Sequence, residues 1–290
     1  MTESSWTIIK ILKWSYEYLE KHNIDNPKYE AEVLLSETLH LPRLQLFLKF
    51  EKPLNDEELA NYRKIISQRV RHIPYQYIFK KAYFLDYELY VDENVLIPRP
   101  ETELLVEVAI DAIKEGRPLN KELTILDIGS GSGCISIALS DSFPEYNVVA
   151  VEKSIKAMEI TQKNANRYNV KNLKCINKGI IDLDFNSLFN NKLYVISNPP
   201  YILTSDLETL SEEVKKEPVS ALDGGIDGLM FYRQILNKCK NYRHESSVIF
   251  EIGYDINESI NQLLIDSGVK NIKFYKDYQD IDRIVTGTVR

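Results

Sequence analysis

An asparagine, two prolines and a tyrosine follow one another at positions 198–201, one residue after the apolar run of residues 193–196. Neither proline can donate to a strand ladder and each fixes its own φ, so the chain has to leave a sheet here as a rigid loop. Such a loop would hold the Asn198 carboxamide, the Pro199 carbonyl and the Tyr201 ring at the carboxyl edge of a strand, where open α/β sheets bind ligands. Two acceptors and a flat ring suit a planar NH2 group, although Asn-Pro-Pro is also an ordinary turn sequence.

A glycine-rich loop stands upstream, where the apolar strand pattern of residues 123–128 runs into Gly129, Gly131 and Gly133 and then into an apolar helix. Alternate glycines let a backbone pass close to a ligand and present N–H groups at a helix start. Glycines of this kind also serve simply to tighten a strand-to-helix joint. Taken alone, the loop is therefore a weak indication of a nucleotide or cofactor site.

An acidic residue strengthens this indication. The second strand pattern, residues 148–151, ends in Glu152, which stands 23 residues after Gly129. An acid about 20 residues after the first glycine, at the tip of the second strand, can accept hydrogen bonds from both hydroxyls of a ribose. The pair predicts a nucleoside-containing cofactor and leaves NAD and S-adenosylmethionine both open.

The elements that must carry these residues alternate regularly between helix and strand. Helices are expected at residues 154–168, 228–240 and 256–267, and strands at residues 173–176, 193–197, 248–252, 271–276 and 283–289. Such alternation predicts a mainly parallel sheet covered on both faces, with the last two strands as an antiparallel hairpin at one edge.

The first part of the chain has a different pattern. Residues 1–75 show helical spacing without strand signals, from a first helix at residues 4–22 onward, and predict a small helical bundle. Asn26 before Pro27, and Asn55 three residues before Glu58, are typical helix starts. A bundle of this kind is most simply a packing or interaction module, and its surface could select a protein partner.

A β-hairpin is expected between the two parts, at residues 76–98. Apolar and polar residues alternate from residue 84 to residue 91, residues 92–94 suggest a turn, and residues 95–97 suggest the returning strand. Pro98 and Pro100 would stop that strand, and Pro100 followed by Glu101 and Glu103 is a typical helix start.

Composition limits the remaining possibilities. A chain of 290 residues with 44% hydrophobic and 27% charged residues predicts a soluble protein with a catalytic domain and a smaller companion. Three scattered cysteines, no secretory segment and no membrane-length apolar run favour the cytoplasm, and four dispersed histidines give no reason to expect a metal. Residues 1–75 hold 11 basic and 11 acidic residues, so the net charge of −7 lies in the later part and argues against a nucleic-acid substrate.

With these motifs placed, the chain resembles the class I S-adenosylmethionine-dependent methyltransferases. It resembles more closely the HemK/PrmC family of protein-glutamine methyltransferases, which modify bacterial class I peptide-chain release factors, and the likeness covers almost the full length. The motifs that carry the resemblance are those at residues 97–103, 127–133, 197–202, 217–218, 221–225, 250–253 and 282–283. The chain departs from the family pattern at Lys80, where glycine is usual, at Glu152, where aspartate is commoner, and near residues 178–182, where the usual acid is displaced.

The resemblance implies an α/β fold that is Rossmann-like, preceded by the helical bundle. It implies a substrate-recognition domain at residues 1–75, a hairpin linker at residues 76–98 and a catalytic domain at residues 99–290. The reaction would transfer a methyl group from S-adenosylmethionine to the side-chain nitrogen of a glutamine in a release factor, leaving S-adenosylhomocysteine. We expect a cytoplasmic monomer without a nucleic-acid substrate.

The same resemblance assigns roles to individual residues. Asn198, Pro199 and Tyr201 would be catalytic, with Asn198 and Pro199 accepting the two amide N–H bonds and Tyr201 stacking on the amide. Substrate contacts would come from Asn198, Pro199, Pro200, Tyr201, Arg99 and Glu103. Cofactor contacts would come from Asp127, Gly129, Ser130, Gly131, Ser132, Gly133, Glu152, Asp182 and Asn198, with Asp182 near the adenine.

Other functions remain open from the sequence. An adenine-N6 nucleic-acid methyltransferase would use the same Asn-Pro-Pro-Tyr chemistry, and only net charge and the companion domain argue against it. A methyltransferase acting on a ribosomal-protein glutamine would differ chiefly in its amino-terminal domain. A dinucleotide oxidoreductase or a non-catalytic nucleotide-binding module would explain the glycine loop but leave residues 198–201 without a role.

Overall fold

A computed structural model describes residues 6–116 and 122–289 of the chain. The chain divides into two compact units, Met1–Lys80 and Lys81–Arg290. The first five residues of the predicted bundle, and residues 117–121 and 290 of the predicted catalytic domain, lie outside the described residues. Among the described residues, no helix combines the length and the apolar character needed to cross a membrane.

The first unit is the predicted helical bundle. Its described helices are α1 Ile8–Lys21, α2 Pro27–Leu39, α3 Arg43–Leu48, α4 Asp56–Arg69 and α5 Tyr75–Phe79. The capping box at the start of α4 is present, since Asn55 Oδ1 accepts the Glu58 amide at 2.8 Å and the Glu58 carboxylate accepts the Asn55 amide at 2.8 Å. Asn26 precedes α2 as predicted but makes no side-chain cap bond, because its φ of 50° is left-handed rather than extended.

The described part of the bundle has an apolar core and a buried ion pair. Ile8, Leu34 and Leu46 are fully buried at the helix contacts. Arg69 of α4 donates to the Glu30 carboxylate of α2 at 2.9 Å, with the arginine side chain 1% exposed. The pair joins α2 to α4 in the buried interior of the bundle, where breaking such a contact is costly.

The hairpin lies earlier in the chain than expected. Its strands are β1 Ala82–Phe84 and β2 Tyr87–Leu89, and Leu85 in the tight turn has a φ of 49°. A turn is present at residues 92–94, where the Val95 amide donates to the Asp92 oxygen at 3.1 Å, but it does not join two strands, and the returning strand predicted at residues 95–97 is wrong. Val95 and Ile97 are buried without pairing as strands, so the apolar pattern reported burial and not strand register.

The second unit is built on one twisted sheet. Its described strands are β3 Leu123–Ile128, β4 Asn147–Glu152, β5 Leu173–Asn177, β6 Lys192–Ser197, β7 Ser246–Glu251, β8 Val269–Lys276 and β9 Asp282–Val289. Within the described residues the order is β5-β4-β3-β6-β7-β9-β8, and β9 runs antiparallel to both β7 and β8. The chain reverses its direction of winding beside β3, so the carboxyl ends of β3, β4 and β6 meet at a crevice of the kind that binds ligands in open α/β sheets.

Helices cover both faces of this sheet, as predicted. The described α-helices are α6 Pro100–Glu115, α7 Cys134–Ser142, α8 Ile155–Arg167, α9 Phe185–Leu188, α10 Met230–Lys240 and α11 Asn257–Asp266. One core joins α6 and α7 to β3 through Leu105, Ile137 and Ile125. The other joins α10 and α11 to the opposite face through residues such as Tyr232 and Leu264. The mainly parallel sheet with an antiparallel edge hairpin confirms the predicted fold.

Candidate active site

The glycine loop follows β3 and turns over the end of β4. Gly129, Gly131 and Gly133 have φ values of +78°, +53° and +83°, a region where a Cβ would be strained. The amides of Gly129 and Ser130 donate to the Val151 oxygen at 2.8 and 3.1 Å. A Cβ on Gly129 would meet no described atom within 4 Å. The loop therefore leaves open space beside its backbone.

Glu152 lies at the carboxyl end of β4 and bridges the glycine loop and the turn into α8. One carboxylate oxygen accepts the Gly131 amide at 3.1 Å, and the other accepts the Ser154 amide at 2.8 Å. The Asn177 side chain donates to the main-chain oxygens of Glu152 and Lys153 at 2.8 and 3.1 Å, which fixes the backbone that carries the carboxylate. Because each carboxylate oxygen has two lone-pair directions, both can accept a further hydrogen bond.

The loop after β6 is clamped from both sides. The Ser197 hydroxyl donates to the main chain of β3 at 2.6 Å, one residue before Asn198. Further on, the Ile202 amide donates to Leu222 at 3.0 Å, and the Gly224 amide donates back to Ile202 at 2.7 Å. The two prolines and these main-chain bonds give the loop little freedom to move.

A continuous hydrogen-bonded chain begins at Asn198. Its Nδ2 donates to Thr102 Oγ1 at 3.0 Å, and Thr102 Oγ1 donates to Glu251 Oε2 at 2.7 Å. Thr102 lies in the first turn of α6 and Glu251 ends β7, and they are 2% and 1% exposed. Burial raises the pKa of Glu251 to about 7, although the Thr102 hydroxyl acts in the opposite direction. Because Nδ2 is bound to Thr102, Oδ1 is the atom that Asn198 can offer as an acceptor.

A cavity of about 880 Å³ lies between the glycine loop, the end of β4 and the loop after β6. This volume is in the range of small-molecule sites, about 300–1,000 Å³. The predicted site residues that line it are Arg99, Gly129, Ser130, Gly131, Ser132, Glu152, Asp182, Asn198, Pro199 and Pro200. The structure thus brings most of the predicted cofactor and substrate residues to one cavity.

Four predicted site residues do not line this cavity: Asp127, Gly133, Glu103 and Tyr201. Glu103 instead accepts the Leu85 amide in the hairpin turn at 2.7 Å. Gly133 is the residue before α7, and a Cβ on it would lie 3.1 Å from a Thr161 methyl.

The Tyr201 ring lies beside Gly253, and burial raises its hydroxyl pKa. Because Tyr201 does not line the cavity in this structure, the stacking of its ring on a substrate amide stays a prediction.

Asp127 lies behind the glycine loop. It is fully buried, accepts a short hydrogen bond from Ser136, and its pKa is raised by burial to about 7. Its other oxygen, Oδ1, has no hydrogen-bond partner among the described residues. A buried acceptor without a partner is costly and is usually satisfied by a water or a ligand group.

Arg99 lines the cavity, and its guanidinium is bound to a buried glutamate. It forms a short charge-assisted hydrogen bond to Glu217, and the other Glu217 oxygen accepts the Ile97 amide at 3.1 Å. Glu217 is 4% exposed, and burial raises its pKa against the opposing effect of Arg99. The pair joins the segment before α6 to the segment at residue 217 and places a cation at the cavity wall.

Sequence reasoning gave no role to Thr102, Glu217 or Glu251. All three stand within motifs that carried the family resemblance. Glu251 also gave an independent signal, since it ends an apolar strand pattern just as Glu152 does. Because glutamate is rarely buried without a hydrogen-bonding or charged partner, its place at the end of an apolar strand is a reason to expect such a partner.

The residues present fit S-adenosylmethionine or a similar nucleoside cofactor. Gly129 leaves room for close approach, Glu152 offers two acceptor oxygens, and Asp127 Oδ1 is a buried acceptor in need of a donor. Asp182 lies in a 3₁₀ turn at the same cavity wall. These acceptors suit ribose hydroxyls, an adenine amino group and an ammonium group, all of which donate hydrogen bonds.

Comparison with known protein families gives two matches. Residues 10–79 match the PrmC N-terminal domain, and residues 102–225 match the methyltransferase small domain. The chain is similar to a release factor glutamine methyltransferase of Geobacter sulfurreducens, with 38% identity over 294 residues that cover 100% of both chains. It is 34% identical to a protein of the same name from Chlorobaculum tepidum, covering 97% of each.

Solved structures show a similar fold at much lower identity. The hMettl16 catalytic domain, crystallised in complex with a MAT2A 3′UTR hairpin, is 14% identical and aligns with a TM-score of 0.54 over 94% of this chain and 90% of that chain. This likeness supports the methyltransferase fold and does not bear on the substrate.

Proposed function

The chain belongs to the family of release factor glutamine methyltransferases, and we propose that it methylates the side-chain nitrogen of a glutamine in class I peptide-chain release factors. The observation that carries the proposal is the Asn198 carboxamide at the cavity wall, with Nδ2 bound to Thr102 at 3.0 Å. This bond leaves Oδ1 to accept an N–H from a substrate amide.

The difficulty of the reaction lies in the nucleophile. An amide nitrogen is unreactive because its lone pair is delocalised into the carbonyl. When bound, S-adenosylmethionine supplies an electrophilic methyl group on its sulfonium sulfur. Asn198 Oδ1 and the Pro199 carbonyl accept the two N–H bonds of the substrate amide, which orients the nitrogen lone pair and favours its pyramidal form. The contribution of these residues is orientation and electrostatic stabilisation of the positive charge that develops on nitrogen.

Cofactor contacts come from the glycine loop and the two acids at the wall. In this proposal residues 129–133 pass close to the cofactor, Glu152 accepts the ribose hydroxyls, and Asp182 contacts the adenine. Arg99 contacts the substrate backbone or a substrate carboxylate near the cavity mouth. The Arg99 guanidinium is suited to this because Glu217 holds it in place.

The substrate is a protein in this proposal, and the helical bundle supplies the contacts that select it. The net charge of −7 agrees with a protein substrate rather than a nucleic acid. The enzyme acts as a monomer in the cytoplasm, where translation termination takes place.

Mass spectrometry tests the proposal directly. Purified class I release factors are incubated with the enzyme and methyl-labelled S-adenosylmethionine, and a single methyl group is expected on one glutamine. The Asn198→Ala variant serves as the control for enzyme-dependent transfer. Labelling of an adenine-containing oligonucleotide or of a ribosomal protein, with no label on release factors, would contradict the proposal and favour one of its rivals.

A further inference from the structure

The hydrogen-bonded chain from Glu251 through Thr102 to Asn198 joins a buried carboxylate to the cavity wall. Its two links are 2.7 and 3.0 Å long. Glu251 itself does not line the cavity. We infer that Glu251 and Thr102 are positioning residues that set the orientation of the Asn198 carboxamide and strengthen Oδ1 as an acceptor, an inference that rests on the proposed function.

The orientation of the Asn198 carboxamide follows from which groups donate and which accept in the hydrogen-bonded chain from Glu251 through Thr102. An ionised Glu251 can only accept, so the single Thr102 hydroxyl hydrogen points to it. The Thr102 oxygen can then only accept from Asn198, which requires Nδ2 and not Oδ1 at that contact. The carboxamide therefore turns Oδ1 toward the substrate side, as methylation of an NH2 group requires.

The opposite protonation state gives the opposite orientation. A protonated Glu251 can donate to the Thr102 oxygen, which frees the Thr102 hydrogen for Asn198 Oδ1. The carboxamide would then present Nδ2 to the cavity, and two NH2 groups would face each other. The protonation state of Glu251 therefore decides which carboxamide atom of Asn198 faces the cavity. The negative charge of ionised Glu251 also polarises the two hydrogen bonds, which makes Oδ1 a stronger acceptor of N–H bonds.

The surroundings of Glu251 allow both states near neutral pH. The titratable and charged groups that face it come from α6 and the segment before it, from the loop after β6, from α7, from α10 and from β9: Arg99, Glu101, Tyr201, Cys134, Tyr232 and Arg283. Arg99 and Arg283 favour the ionised carboxylate, whereas burial and Glu101 oppose it. The balance gives Glu251 a pKa of about 7.

Nuclear magnetic resonance tests, without any substrate, whether Glu251 and Thr102 control the hydrogen bonding of the Asn198 carboxamide. The full-length protein is labelled with ¹⁵N-asparagine, and the Asn198 side-chain NH2 signals are identified by their loss in Asn198→Asp. In the wild type we expect these signals to move with pH between 5 and 9. The movement should vanish in Glu251→Gln and in Thr102→Val, and it should persist in Thr124→Val, which removes another buried threonine hydroxyl.

Identical NH2 signals with the same pH dependence in wild type, Glu251→Gln and Thr102→Val would overturn the inference. This result would leave the proposed function untouched.

Single-turnover methylation of a purified class I release factor supplies the second readout. Thr102→Val should lower the rate by about 10-fold or more, the magnitude seen when a group that orients a reacting ligand is lost. Thr102→Ser should restore most of the rate because it keeps the hydroxyl, and Thr124→Val should stay within about twofold of wild type. Calorimetry with S-adenosylhomocysteine should show an unchanged Kd in all three variants, which separates positioning from cofactor binding.

Glu251→Gln keeps an acceptor oxygen and removes the charge. Its methylation rate should fall and should lose the rise with pH that the wild type shows as Glu251 ionises. A Thr102→Val rate within twofold of wild type would contradict the inference. Absence of release-factor methylation by the wild-type enzyme would instead refute the proposed function, and the resonance experiment would still decide whether the chain sets the Asn198 orientation.

Discussion

The Cα of Tyr201 lies 2.6 Å from the position that a Cβ would occupy on Gly224. The same Cβ would lie 2.8 Å from the Pro200 oxygen. Contacts this short do not occur for real side chains without movement, and here both neighbours are backbone atoms that cannot rotate away. The segment that follows the 3₁₀ turn at Val219–Ala221 therefore sets the position of the loop that carries Asn198, and it does so because residue 224 has no side chain.

Gly224→Ala should lower methylation turnover by about 10-fold or more while cofactor affinity changes little. The added methyl group pushes the backbone of residues 200–201, and a displacement of about 1 Å can cost 100-fold in rate. Gly268→Ala is a matched control, because Gly268 has a φ of +79° and its Cβ would meet no described atom within 4 Å. That variant should lose some stability and keep its turnover in the folded fraction. Normal turnover in Gly224→Ala would show that the loop tolerates the shift.

Glu152→Ala should weaken binding of S-adenosylhomocysteine by about 10-fold or more, because it removes charge-assisted hydrogen bonds worth about 1.5–3 kcal/mol. Part of this loss comes from the loop itself, since Glu152 also holds the Gly131 amide at 3.1 Å. Glu152→Asp, which introduces the residue commoner in the family, should stay within a few-fold of wild type. Isothermal titration calorimetry measures both, with the exposed Glu159→Ala of α8 as control. Tight binding of NADH and no binding of S-adenosylhomocysteine would refute the assignment of the cavity.

The stability of the folded chain should fall as pH rises through the range of about 4 to 7. Burial raises the pKa of Asp127 and of Glu251 to about 7 in the folded state, whereas the unfolded chain titrates near 4. Between these values the folded state binds more protons than the unfolded state, so the free energy of unfolding decreases with pH, by up to about 1.4 kcal/mol per pH unit for each group. Below about pH 4 both carboxyl groups are protonated in both states and this loss of stability is absent, and above about pH 7 the loss is complete.

Urea denaturation at pH 5, 6, 7 and 8 measures this dependence. Asp127→Asn and Glu251→Gln should each flatten it, because an amide cannot titrate. Glu217, whose pKa burial also raises, leaves a residual slope of the same sign. A Glu159→Gln control should keep the wild-type slope. Stability that rises from pH 5 to pH 7 would contradict the raised pKa values.

A chain that begins at Lys81 should bind S-adenosylhomocysteine as tightly as the full chain and should fail to methylate an intact release factor. The cavity is lined entirely by residues of the second compact unit, so the first unit is expected to contribute recognition. Calorimetry and methylation of the intact protein test the two halves of this statement. Equal methylation by the shortened chain would remove the recognition role from the helical bundle.

The arrangement of the glycine loop and Glu152 at the cavity could be predicted from the sequence because its geometry is local. A strand, a glycine loop and a helix fix one another through short connections, and the spacing from Gly129 to Glu152 follows from one βαβ unit. The family resemblance rested on these same motifs, and the relatives at 38% and 34% identity confirm it. The order of helices and strands also depends on local periodicity, and the elements predicted from residue 154 onward lie within about two residues of their observed bounds, whereas α5 and α9 were not predicted.

The contacts behind the wall could not be predicted in this way. Thr102 and Glu251 are 149 residues apart in the chain, and their pairing depends on how α6 packs against β7. The hairpin turn was misplaced for a related reason, because Val95 and Ile97 show the apolar character of a strand while they are buried without a strand partner. Tyr201 does not line the cavity, and its ring packs against Gly253, where a Cβ would lie 3.1 Å from Cδ2, a fact of tertiary packing that no local motif reports.

Asn198 provides the test that divides chemistry from binding. Asn198→Ala removes the acceptor proposed for the developing amine and should lower kcat by roughly 100-fold or more, with little change in the Kd for S-adenosylhomocysteine. Asn198→Asp keeps the size and an acceptor oxygen but loses the NH2 group that donates to Thr102 at 3.0 Å. It also sets a second carboxylate at the end of the chain that leads to Glu251, so we expect it to be as damaging as the alanine. If Asn198 only caps a turn, both variants should instead lose about 1 kcal/mol of stability and keep most of their turnover in the folded fraction. Single-turnover methylation and thermal melting, measured on the same variants, separate these outcomes. An Asn198→Ala rate close to that of the wild type would refute the proposed role of Asn198 in methyl transfer.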